Sequence, residues 1–331
     1  MRRTSLTIRL LSLAAGLLLS LAAIAADHGV IKIGTTASQT GEYARLGTDQ
    51  LQGLMMWEAD LNSRGALLGN RVEVVAYDDG SDPQRAAEIY ERMITEEGVD
   101  FLIGPYSSDI TLAVAEVAER HQIPMVAAGA AASKPWEQGH SNVFQVDARA
   151  RDYFDLPLEF AHGQGLTRVA VVFAGTELPR EVAAGVREEA ARLGMQIVFD
   201  EEYPNGSTDF TDIVARMSGT SPEVLLGGTY LDDSIALVRA TKAANLSPKI
   251  FALTVGPAQR EFGDALAEDS AGILGVVAWM RSGRRPMAYD FSFRYKERFG
   301  ANAAAQAAYG YGAGQVLEAA VRLAETTDKD A

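Results

Sequence analysis

The stretch of this sequence best suited to chemistry is a glycine-bearing turn that runs into hydroxyl residues. Gly104-Pro105-Tyr106-Ser107-Ser108-Asp109 follows a short apolar run and opens a segment with helical periodicity. The first turn of a helix carries unsatisfied N–H groups and the positive end of the dipole, so such a turn suits an anion. No GxxxxGK[ST] spacing is present, which disfavours a nucleotide phosphate and leaves a carboxylate as the natural guest. In the plainer reading Ser108 or Asp109 merely caps the helix, and both readings use the same amides. A second loop, Gly129-Ala130-Ala131-Ala132-Ser133, consists of small residues that let backbone approach a ligand, or that simply make a tight turn.

Other candidates read as structural. Asp78-Asp79-Gly80-Ser81-Asp82-Pro83 lacks the alternating oxygen ligands and closing Glu of a calcium loop. There Asp82 reads as an N-cap with proline at the first helical position. His28, His121, His140 and His162 are scattered, with no i, i+4 pair, so no metal site is expected. The absence of cysteine excludes disulfides, thiolate catalysis and a lipidated N-terminal Cys. No nucleophile elbow or catalytic carboxylate pair is visible, so the chain is not expected to be an enzyme and no cofactor is implied. Gly310, Gly312 and Gly314 sit in helix-period sequence among alanines and suggest close helix packing.

The elements that must carry these loops alternate. Val30–Thr35, Val72–Tyr77, Phe101–Gly104 and Met125–Ala127 read as strands, separated by helices over Leu46–Arg64, Pro83–Glu97 and Ile110–His121. The stretch from Ser133 to Asp147, with strand-like Asn142–Val146, reads as a passage between lobes. The pattern then restarts: helix Arg151–Gln164, strand Arg168–Phe173, helix Pro179–Leu193, strand Gln196–Phe199, helix Phe210–Met217. Strand Val224–Gly227, helix Asp232–Ala244, strands Ile250–Leu253 and Ile273–Val277, and a late helix Ala303–Glu325 follow. Strands separated by helices imply parallel sheets, so two doubly wound α/β lobes are expected, with ligand-accessible loops at the carboxyl ends of the strands. A chain of 331 residues, 47% of them hydrophobic, can fill two cores.

The amino terminus resembles an export signal. Arg2, Arg3 and Arg9 precede an apolar run, Leu10–Ile24, and Ala23-Ile24-Ala25 supplies a small-x-small site, placing cleavage after Ala25. The run is shorter than the ~20 residues of a spanning anchor. Losing residues 1–25 removes three arginines and no acid, taking the formal charge from −14 to −17. That balance disfavours nucleic acid and anionic lipid as partners. A soluble protein of the periplasm is expected.

The ordered set of motifs resembles one family, the type I periplasmic binding proteins of branched-chain-amino-acid (Leu/Ile/Val-type) ABC transporters. The matching stretches are IKIGTTASQTGEYARLG (31–47), VEVVAYDDGSDP (72–83), VDFLIGPYSS (99–108) and HQIPMVAAGAAAS (121–133). YPNGSTDFTDIVARM (203–217) and EVLLGGTYLDDSIALVRA (223–240) continue the series, and the likeness spans nearly all of residues 30–325. It implies two Rossmann-like lobes joined by a hinge, residues 27–147 plus 279–331 and residues 148–278, closing on a small ligand. The family's chain usually crosses back once more. This sequence reaches Ala331 before that return, which reads as a shortened chain or one lacking a hinge strand.

By the same resemblance the ligand carboxylate meets the Ser108 hydroxyl and amide, with Tyr106 beside it and Ser107 among the binding residues, and the amides around Gly129, Ala130 and Ala131. Leu46 and, from lobe two, Leu178, Thr229, Tyr230 and Thr254 complete the pocket. An amino-acid binder of the family usually has a hydroxyl at the place of Ala131, a tyrosine at that of Leu178 and an acid near Thr254. The acid pairs with the ligand's ammonium, and a buried ammonium without one is costly. The expected ligand is therefore an organic acid, aromatic or not, or an amide, with a free amino acid second. The expected partner is the permease of an ABC transporter, with the chain acting as a monomer; a membrane sensor kinase is the alternative partner. A periplasmic hydrolase or a cytoplasmic sugar-responsive repressor fits less well.

Overall fold

A computed structural model describes residues 29–281 and 285–328; the expected signal segment and His28 lie outside these. Two five-stranded parallel sheets form the frame. The first contains β1 (Val30–Ala37), β2 (Arg71–Asp78), β3 (Phe101–Gly104), β4 (Met125–Ala127) and β5 (Val143–Gln145), in the order 2-1-3-4-5. The second contains β6 (Arg168–Ala174), β7 (Gln196–Tyr203), β8 (Val224–Gly228), β9 (Ile250–Leu253) and β10 (Ile273–Gly275). Its order, 7-6-8-9-10, repeats the same winding. The two α/β lobes read from the sequence are thus present, each a doubly wound sheet.

Burial explains which runs became inner strands. FLIG of β3 and VLLGG of β8 are buried throughout, as expected where helices cover both faces. The edge strands β2 and β7 are partly exposed. β7 runs further than expected, through Asp200, Glu201 and Glu202 to Tyr203. Acidic residues suggest a loop, but here each is paired: Asp200 with Arg187, Glu201 with Arg216, Glu202 with Arg180. Charges on an edge strand also block pairing with other chains.

The helices of the first half are α1 (Ala44–Ser63), α2 (Pro83–Thr95), α3 (Ser108–Arg120) and the single turn α4 (Lys134–Glu137). Asp82 caps α2 as expected, its carboxylate accepting from the Gln84 (2.8 Å) and Arg85 (3.3 Å) amides ahead of Pro83. In the second half are α5 (Asp155–Gly163), α6 (Glu177–Leu193), α7 (Thr211–Ser218), α8 (Leu231–Ala243) and α9 (Arg260–Leu266). The expected helix from Arg151 begins only at Asp155, after a separate 3₁₀ turn over Ala150–Asp152. Pro157 accounts for this, since a residue without an N–H is tolerated only in the first helical turn. A helix that the periodicity did not reveal, α10 (Pro286–Phe299), buries Ala288, Phe291 and Tyr295 while exposing Met287, Tyr289 and Phe293. Apolar residues on both faces erase the amphipathic signal.

The final helix, α11 (Ala305–Ala324), packs along α1 through a glycine seam. A Cβ on Gly53 would stand 1.8 Å from the Ala307 carbonyl oxygen, and one on Gly310 2.0 Å from that of Gln50. One on Gly314 would enter the Trp57 ring at 2.2 Å, whereas Gly312 faces open space. Close packing therefore accounts for Gly310 and Gly314 but not for Gly312. Gly310→Ala is expected to cost about 1–3 kcal/mol through overpacking. Gly312→Ala is expected to stabilise by about 0.5–1 kcal/mol through helix propensity. Urea unfolding of the two variants checks this, and equal responses would refute the seam.

Candidate ligand-binding cleft

In each sheet the loops leaving the carboxyl ends of the strands turn toward the other sheet. The switch points, between β1 and β3 and between β6 and β8, face one cleft, where this winding places ligands. Asp78 at the end of β2 fixes the first cleft loop. It accepts from the Gln39 (2.8 Å), Thr40 (3.2 Å) and Gly80 (2.9 Å) amides and from the Thr40 hydroxyl (2.7 Å). Burial pushes its carboxyl up, but these donors outweigh burial and hold the pKa at about 2.

The turn after β3 sits at the base of the cleft. Ser107 occupies the N-cap position of α3, yet its hydroxyl makes no capping hydrogen bond. Neither Ser108 nor Asp109 caps either, contrary to the plainer expectation. The Ser108 hydroxyl accepts from the Ala132 amide (3.3 Å), and Asp109 accepts from the Glu177 amide (3.2 Å) across the cleft. The Tyr43 hydroxyl points toward Ser107 and Tyr230, and burial pushes its pKa to about 12. Even so, Ser107 Oγ and Tyr106 Oη are buried and complete no hydrogen bond. A buried polar atom left unpaired costs roughly 1–3 kcal/mol unless a guest supplies the partner.

A cavity of about 50 Å³ lies beside this turn. Of the residues expected at the site, Leu46, Tyr106, Gly129, Ala131 and Leu178 line it. A Cβ at Gly129 would stand 2.1 Å from Gln50 Oε1, so a larger residue there would displace the Gln50 side chain. Ala130 is fully buried and its carbonyl accepts from Gln145 Nε2 (2.8 Å), away from the cavity. Tyr230 borders an adjoining pocket with Glu42, Arg45 and Gln259. Its hydroxyl meets Thr176 Oγ1 at 2.9 Å and its ring lies 5.5 Å from that of Tyr43.

Thr229 and Thr254 stand apart from both pockets. The Thr254 hydroxyl donates to the Thr229 carbonyl (2.6 Å) and accepts from the Thr229 amide (2.7 Å), while Ser234 Oγ donates to Thr229 Oγ1 (2.6 Å). These bonds clamp the loops after β8 and β9 together from behind the cleft wall. Sequence reading missed Asp147, Tyr153, Val255, Gln259, Val276 and Tyr309, which line the cavity from the segments after β5, β9 and β10, from the ends of two 3₁₀ turns, and from α11. Asp147 stood at the edge of the expected inter-lobe passage, and that position was the available signal.

Among the described residues, Asp147 is the one acid lining this cavity, and no Lys, Arg or His lines it. Burial pushes its pKa up to about 7, against a single donated bond from the Ala148 amide (2.7 Å). Contacts between the lobes ring the cleft: Arg45 with Glu261 (2.5 Å), Glu42 with Asn205 (2.9 Å), Lys134 with Glu177 (2.8 Å) and Ser133 with Glu181 (2.7 Å). Among the described residues no group of three or more His, Asp or Glu is placed to hold a metal ion, and no helix is long and apolar enough to cross a membrane.

Residues 30–331 match the family model for periplasmic binding proteins. The chain belongs to that family. This periplasmic binding protein is 24% identical over 245 residues to the Leu/Ile/Val-binding protein of Escherichia coli (strain K12), covering 74% of the chain and 66% of that relative. The chain spans 60–66% of the length of such curated relatives. Its fold is similar to a leucine-binding protein from Thermotoga maritima (TM-score 0.80, 24% identity, 91% of this chain and 85% of that one). It is also similar to a solute-binding protein of an ABC transporter from Rhodopseudomonas palustris HaA2 in complex with p-hydroxybenzoic acid (TM-score 0.80, 20% identity, 91% and 83%).

Because folded Asp147 holds its proton more tightly than the unfolded chain does, its contribution to stability is greatest below pH 4. That contribution declines as pH rises from about 4 toward 7. Asp147→Asn is expected to flatten this part of the pH profile and to raise ligand-free stability at neutral pH by roughly 2–4 kcal/mol. Denaturant melts of both proteins from pH 4 to 8 check this; parallel profiles would refute it.

Proposed function

We propose that this chain captures a small carboxylate-bearing solute outside the cytoplasm and hands it to the permease of an ABC importer. Two lobes, residues 27–147 with 279–331 and residues 148–278, close on the solute as a monomer, and no residue performs a chemical step. The observation that carries this reading is the pair of buried, unpartnered hydroxyls, Tyr106 Oη and Ser107 Oγ, beside the N-terminus of α3. A carboxylate accepts from both hydroxyls and from first-turn amides, so one guest satisfies several orphaned donors. The relative named for leucine, isoleucine and valine and the neighbour holding p-hydroxybenzoic acid differ in ligand side chain but share the carboxylate.

Closure supplies the rest of the binding energy. Tyr43 packs on Tyr106 of one lobe and Tyr230 of the other, both with ring centroids at 5.5 Å. The ion pairs and hydrogen bonds around the cleft form only when the lobes are together, so a solute that bridges the lobes shifts the population toward this arrangement. Leu46, Ala131 and Leu178 give the cavity a partly apolar wall, consistent with a compact hydrocarbon portion.

A thermal-shift screen of the purified protein against amino acids, aromatic acids, short fatty acids and amides tests the reading. A true ligand at 100 times its Kd adds about 2.7 kcal/mol, a shift of several degrees. Ser107→Ala is expected to weaken that ligand about tenfold, by about 1.4 kcal/mol. Silence of every carboxylate, or an unchanged Kd in Ser107→Ala, would sink the proposal.

A further inference from the structure

Carboxylate capture at Ser107 leaves Asp147 unused. It lies between β5 and the 3₁₀ turn and lines the cavity with Tyr106, Tyr153 and Tyr309. These aromatic residues come from three places in the chain: the turn after β3, the end of the 3₁₀ turn, and α11. The arginines nearest in sequence are committed elsewhere, Arg149 to Asp152 (2.8 Å) and Arg151 to Glu181 (2.9 Å) and Glu188 (2.8 Å). A partly buried carboxylate with one donor and no cationic side chain among the described residues lining its cavity is costly to keep ionised, unless something charged arrives to meet it. Phenol rings around an acid attract a cation through their negative faces, including an ammonium whose hydrogens are replaced by methyls.

We propose that Asp147, flanked by Tyr106, Tyr153 and Tyr309, receives a positively charged nitrogen of the bound solute. The proposal rests on the capture reading above and narrows it: the solute is a compact zwitterion, an amino acid or an N-methylated amino acid. The preference for an organic acid or amide without a cationic nitrogen followed from the neutral residue at Thr254. That position is occupied by the clamp on Thr229, and the counter-charge comes from the segment after β5 instead.

Asp147 is poised to change its protonation as the cation binds. The titratable groups facing it are the phenols of Tyr106, Tyr153 and Tyr309, all raised by burial and uncharged at neutral pH. Binding of a cation favours the ionised carboxylate, so part of a proton leaves Asp147 for the buffer near pH 7.

Calorimetry on the purified protein with pairs matched in shape tests this. The pairs are leucine against 4-methylpentanoate, and N,N,N-trimethylglycine against 3,3-dimethylbutanoate. In at least one pair the cationic member is expected to bind at least tenfold more tightly. Titrations in two buffers of different ionisation enthalpy are expected to show proton release at pH 7. Asp147→Asn is expected to erase both the preference and the release while the protein still melts cooperatively. Equal affinity within a pair that binds, or a preference that survives in Asp147→Asn, would overturn the proposal and leave carboxylate capture standing. Proton uptake lost in Asp147→Asn would also overturn it, by making Asp147 a protonated donor to the ligand. If neither pair nor any carboxylate in the wider screen binds, this proposal and the capture reading fall together; binding only by carboxylates that lack a cationic nitrogen removes only this one.

Discussion

Parallel pairing is the constraint from which the rest of this molecule follows. When every strand of a sheet points the same way, all the loops that leave the strands collect at one edge, and the return helices must cover the faces. Both sheets here wind in the same order, so each has one edge where neighbouring loops part in opposite directions. Setting these two edges against each other creates a cleft without any strand having to bend for it. Turns such as Pro105–Ser108 and the run of small residues after β4 are bound to lie there because of where their strands end.

Within the cleft, polar groups divide into those satisfied by the protein and those that are not. Thr229, Thr254, Ser234 and Asp233 form a closed network behind the second lobe's wall, in which Asp233 accepts from the Tyr203 hydroxyl (2.8 Å) and the Tyr230 amide (2.7 Å). Burial raises the Asp233 pKa to about 6, yet three hydrogen bonds support it. Asp147 shows the opposite arrangement, only partly buried, with its pKa raised and one donor. The difference in hydrogen-bond support separates a scaffold carboxylate from one open to a guest.

Most of the frame was legible in the sequence because strand and helix periods alternate cleanly and the inner strands are unbroken apolar runs. β3, β4 and β9 begin and end as read. The errors have physical causes. Arginine pairing let acidic residues extend β7, Pro157 delayed α5, and apolar residues on both faces hid α10. At the site, Tyr106 and Gly129 were legible because each stands two residues past the end of a strand, β3 and β4. Tyr153 and Tyr309 were not, since they reach the cavity only through the packing of distant segments. Thr229 and Thr254 show the limit of reading by position: their places were right for the cleft edge, but their hydroxyls bond to each other's loops.

The glycine seam between α1 and α11 has a consequence for how a solute would arrive. With the Gly53 and Gly310 backbones seated directly on carbonyls of the facing helix, α11 has no slack relative to the first sheet. Tyr309 therefore travels with Leu46, Tyr106 and Ser107 as one body, although more than two hundred residues separate them in the chain. With the lobes apart, that body would already present both the hydroxyl turn and an aromatic wall. The first half of the cleft would act as the landing stage, and the second lobe as a cover whose arrival governs how long the passenger stays.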